Sequence, residues 1–277
     1  MRVSLLQLNV SDDPAENLPV TLGYIREAAA QGARFVLTPE VTNCVSTSRA
    51  HQNSVLQHEE DDVTLAALRN AAREHGLWLL IGSLGLKTHD ADGRFANRSF
   101  MIDPTGTIAA RYDKIHMFDV AVTPEETFRE SDGYRPGAEA VTAETDFGTV
   151  GMTVCYDVRF AALHTALARA GADILTVPAA FSPVTGAAHW HTLLRARAIE
   201  TGCYVLAPAQ TGTHASAAHK TRSTYGHSLV VAPWGEVQLD AGEAPGVYTT
   251  VLDMGKVQEA RNKVPSLENA RPFSGPE

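Results

Sequence analysis

Three stretches of the first half of the chain return in the second. GARFVLTPE at 32–40 aligns with GADILTVPA at 171–179, matching Gly32 to Gly171 and Pro39 to Pro178. LRNAAREHGLWLLIG at 68–82 aligns with LRARAIETGCYVLAP at 194–208, matching Arg69, Glu74 and Gly76 to Arg195, Glu200 and Gly202. SFMIDPTGTI at 99–108 aligns with SLVVAPWGEV at 228–237, and a Pro-x-Gly turn recurs inside it. The separations run from 126 to 139 residues, so the pattern is one duplicated unit with small loop insertions.

Each unit reads strand, helix, strand, helix, strand hairpin. The apolar runs at 3–8, 34–38, 77–81, 150–155, 173–177 and 203–207 are continuous rather than alternating, the mark of parallel strands covered on both faces. The stretches 17–30, 61–75, 160–170 and 188–201 carry Ala, Leu and charge at helical spacing. One unit alone would leave a sheet with helices on one face and bare apolar side chains on the other. Two units bury those bare faces against each other. The expectation is an α/β fold, a four-layer α-β-β-α sandwich of two pseudo-repeated halves. It forms one domain over residues 1–265, followed by an extended C-terminal arm over 266–277, where ARPFSGPE carries two prolines and a glycine.

The 277 residues carry a net charge of −9, which argues against nucleic acid or an anionic membrane as partner. No apolar run approaches the ~18 residues of a membrane span, and MRVSLLQLNVSDDP reads as a first strand rather than a signal peptide. Cys44, Cys155 and Cys203 are odd in number and form no C-x-x-C pair, so neither a zinc knuckle nor a redox dithiol is indicated. Free thiols fit a reducing, cytoplasmic setting.

Chemistry in α/β proteins gathers where strands end and loops can specialise, so departures from the internal symmetry are informative. Pro39 is followed by Glu40, whereas its counterpart Pro178 is followed by Ala179. Residues 110–137 form a segment without a counterpart, carrying Lys114, His116, Asp119, Glu125, Glu126 and Glu130. Cys155 closes an apolar run whose first-half equivalent has no nucleophile. A thiol must lose its proton to attack, and a neighbouring carboxylate can take it. Such a carboxylate is expected to be desolvated and its pKa raised toward neutrality. A lysine and the backbone N–H after the nucleophile would stabilise the oxyanion.

Glu40 in LTPE, Lys114 in RYDKIHMFD and Cys155 in GMTVCYDVRF resemble the three signature motifs of the nitrilase superfamily of carbon–nitrogen hydrolases, and the likeness runs from residue 2 to about 265. The resemblance implies the α-β-β-α sandwich, a Glu-Lys-Cys triad, a thioester intermediate and no cofactor. It also implies a second glutamate, best matched by Glu130 in TFRESDGYRPG, with Glu125 or Glu126 as alternatives, and a homodimer or higher homo-oligomer. The segments PAAFSPVTGAAHWHTLLRARAIETGCYVLAPAQTGTH and STYGHSLVVAPWGEV resemble the Nit branch, which includes deaminated glutathione amidase and omega-amidase, with the former nearer. The implied substrate is a small, acidic omega-amide; N-carbamoyl compounds, nitriles and α-ketoglutaramate are the alternatives. Tyr156, Arg159, Phe181 and Arg222 are candidate substrate contacts, and Arg197 is a further candidate cation. Two positions depart from the family pattern: Ala161-Ala162 where a Glu is usual, and His191 where Glu is usual. Both are expected close to the active face.

Three other readings compete. A papain-like pair would use His116 or His227 as base. A metal site would draw on the HWH of 189–191 with His214, His219 or His227. It is disfavoured because residues two apart on a helix diverge, so no metal is expected. A binding scaffold has no need to keep Glu40, Lys114 and Cys155 together. Cys44 and Cys203 read as buried filler, Cys44 near enough to Glu40 to line its pocket.

Overall fold

The structure is a computed structural model that describes residues 1–123, 127–216 and 220–275. Glu125, Glu126, His219 and the last two residues of the C-terminal arm lie outside the described residues. The first half runs β1 (Arg2–Gln7), α1 (Pro14–Ala30), β2 (Phe35–Leu37), α2 (Arg49–Val55), α3 (Val63–His75), β3 (Trp78–Leu86), β4 (Ala96–Ile102) and β5 (Ile108–Asp113). A short hairpin of β6 (Asp119–Ala121) and β7 (Thr127–Arg129) follows. The second half runs β8 (Val141–Thr145), β9 (Gly148–Met152), α4 (Ala161–Arg169), β10 (Ile174–Thr176), α5 (Pro183–Thr201) and β11 (Tyr204–Ala207). It continues through the hairpin β12 (Thr211–His214) and β13 (Arg222–Tyr225), then β14 (Leu229–Val231), β15 (Val237–Asp240) and β16 (Gly246–Val251). The helices α6 (Gly255–Lys263) and α7 (Ser266–Asn269) close it.

The matched residues of the repeat occupy matched places. Gly76 and Gly202 end α3 and α5 in the left-handed conformation, where a Cβ would be strained. Two six-stranded sheets result, ordered β16-β1-β2-β3-β4-β5 and β15-β14-β11-β10-β9-β8. In each, three parallel strands carry the hairpin on one side and an antiparallel strand on the other. That sixth strand is exchanged between halves: β8 follows the first hairpin yet joins the second sheet, and β16 follows the second hairpin yet joins the first. The repeat did not predict this exchange, because neither edge strand carries a continuous apolar run.

Side chains alternate across the first sheet. Val3, Leu5, Phe35, Leu37 and Met101 share one buried cluster with Val150, Met152 and Ile174 of the second sheet. Leu6, Val36, Leu79 and Ile81 turn the other way, onto Ile25 and Ala28 of α1 and Leu68 and Ala72 of α3. Trp190, Leu194 and Ala198 of α5 and Leu167 of α4 cover the second sheet. The layers are therefore α-β-β-α, each sheet shielded from water on both faces. The C-terminal stretch begins as α7, with Leu267 packed on the core, and becomes extended only from Ala270.

The two halves meet closely at Gly82. A Cβ there would sit 2.1 Å from the Thr38 carbonyl oxygen and 2.5 Å from both the Pro39 oxygen and the Pro178 Cβ. The two prolines matched by the repeat, Pro39 directly before Glu40 and Pro178, thus converge on Gly82. Gly82→Ala is expected to force the Thr38–Glu40 backbone outward and to cost about 3 kcal/mol, measured by urea denaturation. Ala at Gly23, which has nothing within 4 Å, should leave the midpoint nearly unchanged.

Candidate active site

Glu40 stands just beyond β2, and the next residue, Val41, is held at φ +47 with its N–H on the Ser83 hydroxyl at 2.8 Å. Cys155 stands beyond β9. The expected strand over 150–155 ends at Met152, and Cys155 instead opens a 3-10 turn, Cys155–Arg159, at φ +50. Its N–H donates to the Pro178 carbonyl at 2.9 Å, which pins the turn to the neighbouring strand end. Non-glycine residues at positive φ are costly and persist where surrounding contacts over-determine them. Among the described residues there are three, and two of them flank or carry the predicted base and nucleophile. Lys114 follows β5, and Glu130 opens a 3-10 turn after β7.

These residues form one buried ionic network. Lys114 Nζ donates to Glu40 Oε1 at 2.9 Å and to both Glu130 oxygens at 2.9 and 2.8 Å. Asn97 Nδ2 donates to Glu40 Oε1 at 2.9 Å and to Glu130 Oε1 at 3.3 Å. The free oxygen of Glu40 accepts the Ala180 N–H at 2.8 Å, and Glu130 Oε2 accepts the Phe118 N–H at 2.6 Å. Glu40 and Lys114 are almost fully buried. Sequence reasoning missed Asn97, since an asparagine inside a strand carries no motif.

Electrostatics set the resting protonation. Burial pushes the Glu40 carboxyl up, but the Lys114 charge and hydrogen bond, the Arg222 charge and a hydrogen bond from Cys155 outweigh it, and its pKa falls below the usual carboxylate value. This reverses the expectation of a base raised toward neutrality. Burial likewise favours neutral Lys114, yet Glu130 and Glu40 hold its pKa well above the ordinary lysine value. Burial and the Glu40 charge raise the Cys155 thiol well above normal, and the opposing pull of Lys114 does not compensate. At rest the trio is carboxylate, ammonium and neutral thiol.

The network floors a cavity of about 680 Å³. Phe181 and Arg222, two of the candidate substrate contacts, line it; Arg222 donates to the Ala180 carbonyl at 2.6 Å and lies over Phe128. The side chains of Tyr156 and Arg159 stand one layer back. Tyr156 packs edge-on to Phe118, and Arg159 lies over the Tyr156 and Phe181 rings and contacts His189 Nδ1 at 3.2 Å. Arg197 is structural, bound to Glu200 and the Val158 carbonyl. Cys44 lines the cavity with its thiol on the Asp12 carbonyl and its pKa pushed up to about 12 by burial and nearby acids. Ala161, Ala162 and His191, expected near the active face, do not line the cavity, and both alanines are exposed on α4. Lys220 and Arg129 do line it, and sequence reasoning missed both.

Two histidines of the rival readings, His116 and His214, are committed elsewhere. His116 Nδ1 meets Asp157 at 2.7 Å, and His214 is buried between the Val10 carbonyl and Thr224. Asp157 itself is fully buried and ties the site together. It accepts the Val154 N–H at 2.8 Å beside Cys155, the His116 N–H at 3.1 Å near Lys114, and the Tyr112 hydroxyl at 2.6 Å.

The family described as "Carbon-nitrogen hydrolase" matches residues 2–262. The deaminated glutathione amidase of Yersinia enterocolitica is 37% identical over 270 residues, covering 97% of this chain and 92% of that one. Among solved structures, the C. elegans NitFhit protein superposes with a TM-score of 0.88 at 32% identity, covering 98% of this chain; the chain spans 65% of that longer protein. The amidase from Nesterenkonia sp. AN1, solved with acrylamide added at its active-site cysteine, superposes with a TM-score of 0.77 at 25% identity, covering 95% of this chain and 98% of that one.

The ionic network makes a stability prediction independent of activity. Lys114→Met leaves a buried carboxylate, Glu40, and a partly buried one, Glu130, without their shared cation and is expected to cost about 3–5 kcal/mol by chemical denaturation. Adding Glu130→Gln removes one of those charges and should recover part of the loss. A double variant no more stable than Lys114→Met would contradict the coupling.

Proposed function

The chain belongs to the carbon–nitrogen hydrolase family, in the Nit branch of the nitrilase superfamily, and we propose that it hydrolyses a small acidic omega-amide of the deaminated glutathione type. That it is a cysteine-dependent amidase follows from the family and its relatives. The observation that carries the residue roles is a thiol on a left-handed turn, lining one cavity with a buried carboxylate that shares one ammonium with a second carboxylate.

Cys155 Sγ attacks the amide carbonyl carbon as Glu40 takes the thiol proton. The Lys114 ammonium and the Tyr156 N–H stabilise the oxyanion, in a site where water does not screen them. The tetrahedral adduct collapses as protonated Glu40 passes its proton to the leaving nitrogen, releasing ammonia and leaving a thioester on Cys155. Glu40, again a carboxylate, takes a proton from water as its oxygen attacks the thioester. The second adduct expels the thiolate, which recovers the proton from Glu40, and the acid product leaves. Glu130 keeps Lys114 charged and aimed. Substrate preference rests on Arg222, with Lys220 and Arg129 also lining the cavity, cations suited to a carboxylate at the far end of the amide.

No helix among the described residues is long and apolar enough to cross a membrane. A cytoplasmic setting and a homodimer complete the reading. The exposed Val184 and Ile199 on α5 support self-association, and light scattering tests it.

Cys155→Ala should abolish ammonia release from deaminated glutathione while the fold persists. Mass spectrometry of a quenched slow-substrate reaction should find the acyl adduct on Cys155 and on neither Cys44 nor Cys203. Arg222→Met should raise KM at least tenfold for deaminated glutathione and α-ketoglutaramate and little for a neutral aliphatic amide. An equal rise for all three would remove the acidic-substrate assignment while leaving amide hydrolysis intact.

The pH profile follows from the directions above. Glu40, depressed, stays charged as pH falls through the usual carboxylate range, and kcat/KM should fall only below it. Lys114, raised, supplies no alkaline limb before the ordinary lysine value of 10.5 is passed. An acid limb near neutrality that moves in Glu40→Asp would refute this. Folding needs a parallel check by circular dichroism. Burial depresses His164 and His214 from 6.5 to about 4, so the stability they confer is present above 6.5 and lost as pH falls through about 4.

A further inference from the structure

Away from the cavity, three ligand-type side chains from separate elements converge beside the second sheet. His191 comes from the middle of α5, His227 from the turn between β13 and β14, and Asp240 from the last position of β15. His191 Nε2 lies 2.9 Å from Asp240 Oδ2. His227 Nδ1 lies 2.9 Å from Oδ1 and 3.2 Å from Oδ2 of the same carboxylate. One ligand atom from each residue lies within 4.8 Å of the other two.

We propose that His191, His227 and Asp240 form a zinc site with three protein ligands, distinct from the hydrolytic centre. Zinc binds imidazole nitrogen and carboxylate oxygen at about 2.0–2.2 Å, which sets the edge of a tetrahedron at roughly 3.3 Å. Both nitrogen–oxygen separations are within a few tenths of an ångström of that edge. Two neutral imidazoles and one carboxylate are a donor set that suits zinc, with water as fourth ligand. Each ligand keeps a solvent-reachable side chain, 36% exposed for His191, 21% for His227 and 33% for Asp240, so an ion has a path in.

The surroundings hold the ligands ready, as supporting hydrogen bonds do in metal sites. His227 sits at φ +54, the one positive-φ non-glycine described that is not at the hydrolytic site. Its N–H donates to the Gly242 carbonyl at 2.7 Å, its own carbonyl accepts Trp190 Nε1 at 2.9 Å, and its ring stacks on Tyr225 at 4.5 Å. Asp240 Oδ1 also accepts the Gly242 N–H at 2.9 Å. The trio of His58, Glu60 and His89 has the same donor types, but His89 and Glu60 are 75% and 60% exposed, and that trio reads as a surface ion pair.

A zinc ion here would staple α5 to β15 and to the β13–β14 turn. That lies behind the cavity wall, since Trp190 packs on Phe181 and the Tyr225 N–H donates to the Phe181 carbonyl. His191 is also one of the two positions where this chain leaves its family pattern, and glutamate there would give the trio two acids and a single imidazole.

The test uses the full chain with Cys155→Ala, which removes the exchangeable thiol of the hydrolytic site as a competing ligand. Chelator-stripped protein is dialysed against zinc and its metal content read by mass spectrometry. One zinc per chain is expected, with affinity falling at least about tenfold in His191→Ala and in Asp240→Asn, which keeps the shape of the carboxylate. His189→Ala, one residue before Trp190 and facing Arg159, should bind like the parent. Cobalt substitution should give the visible bands of a tetrahedral ion in the parent and lose them in both ligand variants. No saturable zinc uptake, or uptake unchanged in Asp240→Asn, overturns the site and leaves a carboxylate hydrogen-bonded to two histidines.

Discussion

Burying an ammonium costs several kcal/mol unless acceptors of opposite charge surround it, and Lys114 meets that condition with carboxylates from both sides. Glu40 reaches it from the strand end after β2, and Glu130 from the excursion after β7. The ammonium therefore does more than carry charge. It fixes the distance between a segment that belongs to the repeat and one that does not. Asn97, bonded to both carboxylates, makes the arrangement a closed network in which no member can move alone.

The duplicated architecture explains why this network has somewhere to sit. Each half ends a parallel strand at a proline, Pro39 or Pro178, and the two ends come together at Gly82. A symmetric pair of strand ends makes a seam, and evolution of one copy of each element is enough to furnish it. The first half supplies Glu40, the second supplies Cys155, and the Cys155 N–H rests on the carbonyl of Pro178. Exchange of β8 and β16 between the sheets locks the halves across that seam, because neither sheet can be completed by its own half. Asp157 adds a shorter link, joining the turn that holds Cys155 to the loop that holds Lys114.

What could be read from the chain follows from which signals are local. Continuous apolar runs and repeated glycines mark strands and helix ends because they act within a few residues, so the layers and most elements were legible. The exchanged edge strands were not: β16 is half-buried along its length and its partner is decided by topology rather than by pattern. Glu40, Lys114 and Cys155 stood out as breaks in the repeat, and Glu130 was reached through its motif. Asn97 and the cavity-lining cations Lys220 and Arg129 were invisible, since their places arise from where distant loops land. Spacing along one helix separated His189 from His191, and His227 had been named beside that pair, but Asp240, at a strand end far along the chain, carried no signal.

The direction of the pKa shifts bears on how such a site waits for its substrate. A carboxylate raised to neutrality beside a lowered thiol would hold a standing thiolate, open to oxidants and alkylating agents. Here Lys114 stabilises Glu40 as an anion, and that anion in turn keeps the proton on sulfur. Proton transfer is uphill until a carbonyl is present to accept the sulfur's electrons. In the proposed mechanism, once the oxyanion forms, the negative charge facing Lys114 moves from Glu40 to the substrate, and protonated Glu40 becomes the acid that the leaving nitrogen needs. One ammonium thus favours the base before attack and the adduct after it. Lysine, a compact charge able to turn its three donors between partners, does this more readily than the planar fork of an arginine.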